Sequence, residues 1–300
     1  MIHKTANNSP ATNRIPSYLV IFITAAALAG AFLFVSCEHG QKMVTLKFKY
    51  EPGQKLVYDL TQKSNTKVIE NDSTIKSGTH EISMLITEFV RRMVDDTVAE
   101  VRETDEWTYK SVSRKDTTMV DTSSESREMV LYVAPNGKVV DMEFGKEMSE
   151  SSIAYFKQYY EQGFPVFPAG THSQGYTWTQ STKVLLDDEP VEASTTYEIT
   201  SFAREQGYDC VVISYDGNLI IPIKPNPSDS TQRSGVNRID ITGVMYFAHK
   251  EGLTVSNRDR WVIDGERTEV SEGKTRHYKV VYEGDSNLNL KERTKVDVNE

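Results

Sequence analysis

Apolar and polar side chains alternate with a period of two through most of this chain, which leaves few folds open. In "KLVYDLTQ" Leu56, Tyr58 and Leu60 share one face. Ile82, Met84 and Ile86 do so in "EISMLITEF", and Tyr278, Val280 and Tyr282 in "HYKVVYEG". A period of two puts one face of a strand in a core and the other in water, the habit of antiparallel sheets. Dipeptides that favour tight turns punctuate the pattern: Asn136-Gly137 in "LYVAPNGKVVDM", Asp216-Gly217 between "CVVISY" and "NLIIPI", and Asp264-Gly265 between "RWVI" and "ERTEV". Each predicts a hairpin. The expected body is all-β and mainly antiparallel: two curved meander modules forming an open barrel or half-barrel-like sheet.

The two halves of the chain share a pattern. "EPGQKLVYDLTQKSNTKV" resembles "PAGTHSQGYTWTQSTKV", "ITEF" matches "ITSF", and "MVLYVAPNGKV" matches "GVMYFAHKEGLTV". The offsets are 118 residues for Tyr58 and Tyr176, 113 for Phe89 and Phe202, and 114 for Tyr132 and Tyr246. An internal duplication accounts for them, with modules at 44–148 and 164–300. Between these, "SESSIAYFKQYYEQGFP" sets Ile153, Phe156 and Tyr160 at helical spacing, with Ser149 to cap and Gly163 and Pro165 to stop. A connecting helix over 149–163 is expected. Two modules of this kind either close face to face or share one sheet, and both arrangements tend to leave an apolar groove.

The start of the chain speaks to location. Lys4 and Arg14 precede an apolar run, "YLVIFITAAALAGAFLFV", and then come Ser36, Cys37 and Glu38. This is the outline of a secretory signal, and Phe34-Val35-Ser36-Cys37 resembles a bacterial lipobox. The expectation is a signal peptide over 1–36, lipidation of Cys37, and a short tether over 37–43. An uncleaved transmembrane anchor is the competing reading, because 18 apolar residues just span a bilayer; it leaves the position of Cys37 unexplained. Several acyl chains on one cysteine suffice to hold a protein on a membrane. The mature chain would carry 32 basic and 43 acidic side chains, a net charge of −11. Nucleic acid is thereby disfavoured as a partner. Cys210, without a second thiol once Cys37 is acylated, is expected to be a small buried strand residue.

The order of "KFKYEPGQKLVYDL", "FPVFPAG…YTW", "YEITSFAREQGYDCVVI" and "GVMYFAHKEGL" resembles a poorly characterised group of exported bacterial lipoproteins over roughly residues 44–260. More distantly, the architecture is similar to the half-barrels of Lol-type lipoprotein carriers. The resemblance implies an envelope protein and supplies no catalytic residues.

Sequence motifs for chemistry are missing. There is no Gly-x-Ser-x-Gly, His-Glu-x-x-His or phosphate-loop pattern. The histidines of the mature chain, His39, His80, His172, His249 and His277, are dispersed, so no metal or other cofactor is expected. Asp95-Asp96 and Asp187-Asp188-Glu189 lack calcium-loop spacing and are expected at hairpin tips. "IKPNPSDSTQRSG", 223–235, is expected to be a loop. The function these features favour is non-enzymatic: an envelope lipoprotein, with the outer membrane favoured, that binds a lipid, another apolar ligand or a partner segment in a β-sheet groove. Candidate lining residues are Tyr58, Leu60, Met84, Ile86, Trp178 and Phe202. The alternatives are an assembly lipoprotein that engages an envelope protein partner and, further off, a hydrolase with dispersed residues.

Overall fold

Eleven antiparallel strands form one open sheet in the order β6-β5-β4-β3-β2-β13-β12-β11-β10-β9-β8. The computed structural model describes residues 42–95, 97–114, 118–144, 153, 160, 165–186, 189–223, 225, 232–271 and 273–297. The strands are β1 (Met43–Val44), β2 (Gln54–Glu70), β3 (Ser73–Asp95), β4 (Val98–Arg114), β5 (Thr118–Val133), β6 (Val139–Phe144), β7 (His172–Ser173), β8 (Thr177–Leu186), β9 (Glu189–Glu205), β10 (Tyr208–Ile223), β11 (Gln232–Ala248), β12 (Leu253–Ser271) and β13 (Lys274–Lys295). β1 and β7 pair separately, Val44 opposite His172. Residues 43–300 make one compact unit, and the two halves share a single sheet instead of closing face to face. Of the expected connecting helix only Ile153 and Tyr160 are described, both with helical backbone. Its extent lies outside the described residues, as do residues 1–41 with Cys37.

All neighbours in the large sheet are consecutive in sequence except β13 and β2. That pair is long, running from Lys279 opposite Ile69 to Lys295 opposite Gln54. The residues matched between the halves fall on comparable strands: Tyr58 in β2 and Tyr176 just before β8, Phe89 and Phe202 near the ends of β3 and β9, Tyr132 and Tyr246 near the ends of β5 and β11.

The strands are long, and the core gathers at one end of them. A strand of 23 residues such as β3 extends about 75 Å at the usual rise. Most buried strand residues are the first of β2, β4, β10 and β12 and the last of β3, β5, β9 and β11, with Ser64 and Val280 buried apart from them. They make three clusters, around Val101, Met129 and Leu131, around Leu56, Tyr58 and Leu253, and around Ile199, Ile213 and Phe247. Burying a side chain of this kind fully stabilises by about 1.5–3 kcal/mol. Six register slips fall at the same end, at Val90–Arg92, Met93–Asp95, Tyr132–Val133, Val212–Ile213, Tyr246–Phe247 and Leu290–Glu292, and one at the other, at Val68–Ile69. Bulges bend strands and increase their twist, so the sheet curves where its core lies.

Two segments cross this end and cover the curved face. Phe48 donates its backbone N–H to the Pro135 carbonyl (2.7 Å), Lys49 to Gly252 (3.0 Å), and Phe167 to Asn136 (2.8 Å). The Phe48 ring stacks on Phe167, with centroids 5.1 Å apart, and meets Phe247 edge-on. "FPVFPAG" is therefore an ordered connector, with Phe167 in the core.

Turn chemistry departs from expectation in two places. Asp216-Gly217 and Asp264-Gly265 are not turns but lie inside β10 and β12, paired on both sides. Glycine there makes room for a neighbour: a Cβ on Gly217 would meet Ile241 Cγ2 at 2.9 Å, and one on Gly265 would meet Asn237 Oδ1 at 2.5 Å. Asn136-Gly137 does lie in the β5–β6 connection, with positive φ at Gly137 alone of the two. Asn71-Asp72 and Gln206-Gly207 supply the two-residue turns with positive φ at both positions. Asp95 sits at the β3–β4 tip, its Oδ1 accepting from the Thr97 and Val98 amides at 2.7 and 2.9 Å. Asp187 and Asp188, and most of the 224–231 segment, lie outside the described residues. Cys210 is free and buried in β10, as expected.

The crossing segments give a contrast that can be measured. Gly252 and Gly207 both have left-handed backbones, but a Cβ on Gly252 would lie 2.5 Å from the Lys49 nitrogen, whereas one on Gly207 meets nothing within 4 Å. Gly207→Ala is expected to cost about 1 kcal/mol, the left-handed strain alone. Gly252→Ala is expected to cost about 2–4 kcal/mol, because it also displaces the crossing segment. Urea denaturation midpoints of the two variants test this ordering.

Candidate functional site

Beneath the crossing segment lies a cavity of about 250 Å³. Its walls come from β2, β3, β4, β5, β6, β12 and β13, and its rim from Phe48, Lys49, Tyr50, Tyr160 and Pro165. The register explains which side chains share it. Tyr58 stands opposite Ile86, which stands opposite Asp105, which stands opposite Arg127. One row on, Leu56 faces Glu88, and Glu88 faces Glu103. Leu60 lies between Met84 and Leu288. Each strand contributes alternate residues to one face, so these rows form a single floor.

Four of the six residues expected to bind a ligand, Tyr58, Leu60, Met84 and Ile86, line this cavity. Trp178 and Phe202 do not. They pack in the cluster around Ile199 and Phe247, where Trp178 stacks on Tyr197 with centroids 5.0 Å apart. Alternation identifies an inward face but not which part of a long sheet stays unfilled.

The cavity is apolar at one end and charged at the other. Leu60, Met84, Ile86 and Leu288 make the apolar end, and Glu88, Glu103, Asp105 and Arg127 the charged one. Arg127 forms an ion pair with Asp105. The Tyr160 hydroxyl donates to Glu103 Oε1. Among the described residues no hydrogen bond reaches the Glu88 carboxylate. Glu100 on the same strand as Glu103 is equally buried but satisfied, with Arg91 and Arg92 each at 2.6 Å. Like charges directly opposite one another destabilise a strand pair, and Glu88 faces Glu103 in this way.

Burial and repulsion keep these carboxyls protonated beyond the usual range. Glu88 is pushed up to about 7, first by burial and then by the charge of Asp105. Glu103 is raised well above its ordinary value by burial and by the charges of Asp105 and Glu88, against the opposing hydrogen bond from Tyr160. Burial raises Asp105 too, and Arg127 opposes it. Burial also raises the phenols of Tyr50 and Tyr58.

No set of three His, Cys, Asp or Glu side chains among the described residues is arranged to hold a metal ion. The sequence did carry a signal for the charged end. Glu88 falls in phase with Met84, Ile86 and Val90, Glu103 and Asp105 with Val101, and Arg127 with Met129 and Leu131. Ionisable residues in phase with a core face are the mark of such a site, and the sequence reading passed over them.

No protein family profile and no curated protein sequence matches the chain. The likeness found is in solved structures. A structure of lipovitellin, described for its lipid–protein interactions, superposes with a TM-score of 0.51 at 9% identity, covering 83% of this chain and 26% of that one. The chain thus spans about a quarter of that lipovitellin chain, and what the two share is the large antiparallel sheet. An outer membrane channel from Pseudomonas putida F1 aligns over 86% of this chain and all of its own, with a TM-score of 0.25 at 8% identity. That likeness is too loose to bear on architecture.

The raised Glu88 value fixes the sign of a pH effect. The folded state holds the Glu88 proton up to about pH 7, whereas the unfolded chain releases it near the ordinary carboxylate value of about 4.3. Stability from this group is therefore fully present at low pH and lost as pH rises from about 4.3 to about 7. Glu88→Gln keeps the shape and removes the charge. It is expected to raise stability at pH 8 by on the order of 2 kcal/mol and to leave it nearly unchanged at pH 4. Urea midpoints at the two pH values measure the difference.

Proposed function

We propose that this protein is a lipid-anchored envelope protein that holds an apolar ligand in the cavity between its curved sheet and the crossing segment. The observation that carries the reading is the unfilled apolar end at the half-buried Leu60, Met84, Ile86 and Leu288, beside the packed core. Well-packed interiors leave few voids larger than a water molecule, and each methylene that leaves water for such a space gains about 0.8 kcal/mol. At about 250 Å³ the space sits just below the usual small-molecule range of about 300–1,000 Å³, which suits one short chain or the end of a longer one. The lipovitellin structure that shares the sheet is one described for lipid–protein interactions, and it supports the same class of ligand. A binding role, not catalysis, is the favoured reading.

The lipid anchor is Cys37, acylated after removal of residues 1–36. Cells fed a palmitate analogue are expected to label the wild-type protein and not Cys37→Ser. Labelling that survives the substitution would remove the anchor from this account.

The cavity is tested separately. Native mass spectrometry of the protein purified in mild detergent is expected to show a co-purifying apolar adduct. Met84→Trp, which fills the apolar end, is expected to lose it while keeping a cooperative thermal transition. An adduct-free wild type, or an adduct that Met84→Trp leaves in place, would sink this reading.

A further inference from the structure

Three carboxylates and one guanidinium meet at the charged end of the cavity, and the imbalance says what kind of head a ligand carries. Arg127 is committed to Asp105. Lys49 reaches the rim, but its ammonium is turned onto the Lys250 carbonyl. That leaves Glu88 and Glu103 opposite one another with no cation between them among the described residues. Asp105 is 1% exposed, and its Oδ1 is buried without a hydrogen-bond partner. Carboxyl groups outnumber cations here, and a buried acceptor left unsatisfied costs on the order of 1–3 kcal/mol.

We propose that this end is a headgroup site for a cationic amphiphile, with a single chain along Leu60, Met84 and Ile86 and a protonated amine between Glu88 and Glu103. The proposal rests on the reading of the cavity as an apolar-ligand site and adds the chemistry of the head. An ammonium group supplies three donors and one positive charge to a place where three carboxyl groups meet a single guanidinium. A carboxylate head would add a further acidic group to a desolvated space that is already acidic, which is disfavoured. The carboxyls are not grouped tightly enough for a metal ion. An amine on a chain reaches a broader acceptor set, and the chain keeps it there.

The groups that face this end are Tyr58 on β2, Glu88 on β3, Glu103 and Asp105 on β4, Arg127 on β5, and Tyr50, Lys49 and Tyr160 on the crossing chain. β6, β12 and β13 contribute Val139, Leu253, Thr254 and Leu288, none of which titrates. Glu88, which holds its proton up to about pH 7 when the site is empty, must release it to pair with an ammonium. Affinity for an amine should therefore be high above pH 7 and fall by about tenfold from pH 8 to pH 6.

Calorimetric titration of the delipidated protein with decylamine, decanoate and decanol, each below its micellar concentration, tests the proposal. Decylamine is expected to bind at least about tenfold more tightly than decanoate at pH 8. Glu88→Gln, checked for folding by its thermal transition, is expected to weaken decylamine by about tenfold and to leave decanol unchanged. Decanoate binding as tightly as decylamine, or decylamine binding indifferent to Glu88→Gln, would overturn the headgroup site and leave the apolar site standing. If none of the three chains binds, both fall together.

Discussion

The pairing of β13 with β2 is the contact on which the rest of the architecture depends. Every other neighbour in the large sheet is adjacent in sequence and could form within a local meander. This one joins two meanders into a continuous surface of eleven strands. It also sends the free edges, β6 and β8, to opposite sides of the sheet. The chain between Phe144 and Thr177 must then travel from one edge to the other. Of its described residues, Tyr160 lies in one core cluster and Phe167 in another. The cover over the cavity is thus a result of topology as much as of side-chain preference.

The cavity follows from an uneven fit between cover and sheet. Under Phe167 the aromatic rings interlock, with Phe48, Phe247, Trp178 and Tyr197 in a connected set of contacts. Under Tyr160 the floor changes character, because ionisable residues occupy positions that the strand pattern reserves for apolar ones. Carboxylates keep neighbours at a distance unless cations join them, and among the described residues Arg127 alone is paired with one of them here. A fold that obeyed its own pattern here would fill this volume with leucine or valine and gain stability. Departures from local consistency with no structural return are where function is to be sought.

Much of this was legible in the sequence, and the failures have physical causes. Alternation fixed the class of fold and the inward faces of β2, β3 and β13, because period two is imposed by strand geometry itself. Leu60, Met84 and Ile86 share an inward face for that reason. Asp-Gly pairs misled, since strands this long need small residues where a neighbouring strand's side chain crosses them, as Ile241 does at Gly217. Composition cannot distinguish a gap of that kind from a turn. Trp178 and Phe202 were assigned to the same groove as Tyr58, whereas whether an inward residue meets a void or a packed neighbour is decided by the segments that cross the sheet, whose position strand alternation does not signal. Glu88, Glu103, Asp105 and Arg127 went unnoticed because ionisable residues are common in strands with one wet face. Their phase relative to Ile86, Val101 and Leu131 was the available clue.

The order in which the strands become available has a kinetic consequence. β2 meets β3 almost at once, but its other flank waits through about two hundred residues of chain before β13 exists to pair with it. Contacts so remote in sequence form late, and unpaired strand edges invite association with other chains in the meantime. β2 carries Lys55, Lys63 and Lys67 along its length, the kind of charge that discourages edge-to-edge growth. Nascent copies of this protein are thus guarded against one another until their own last strand arrives.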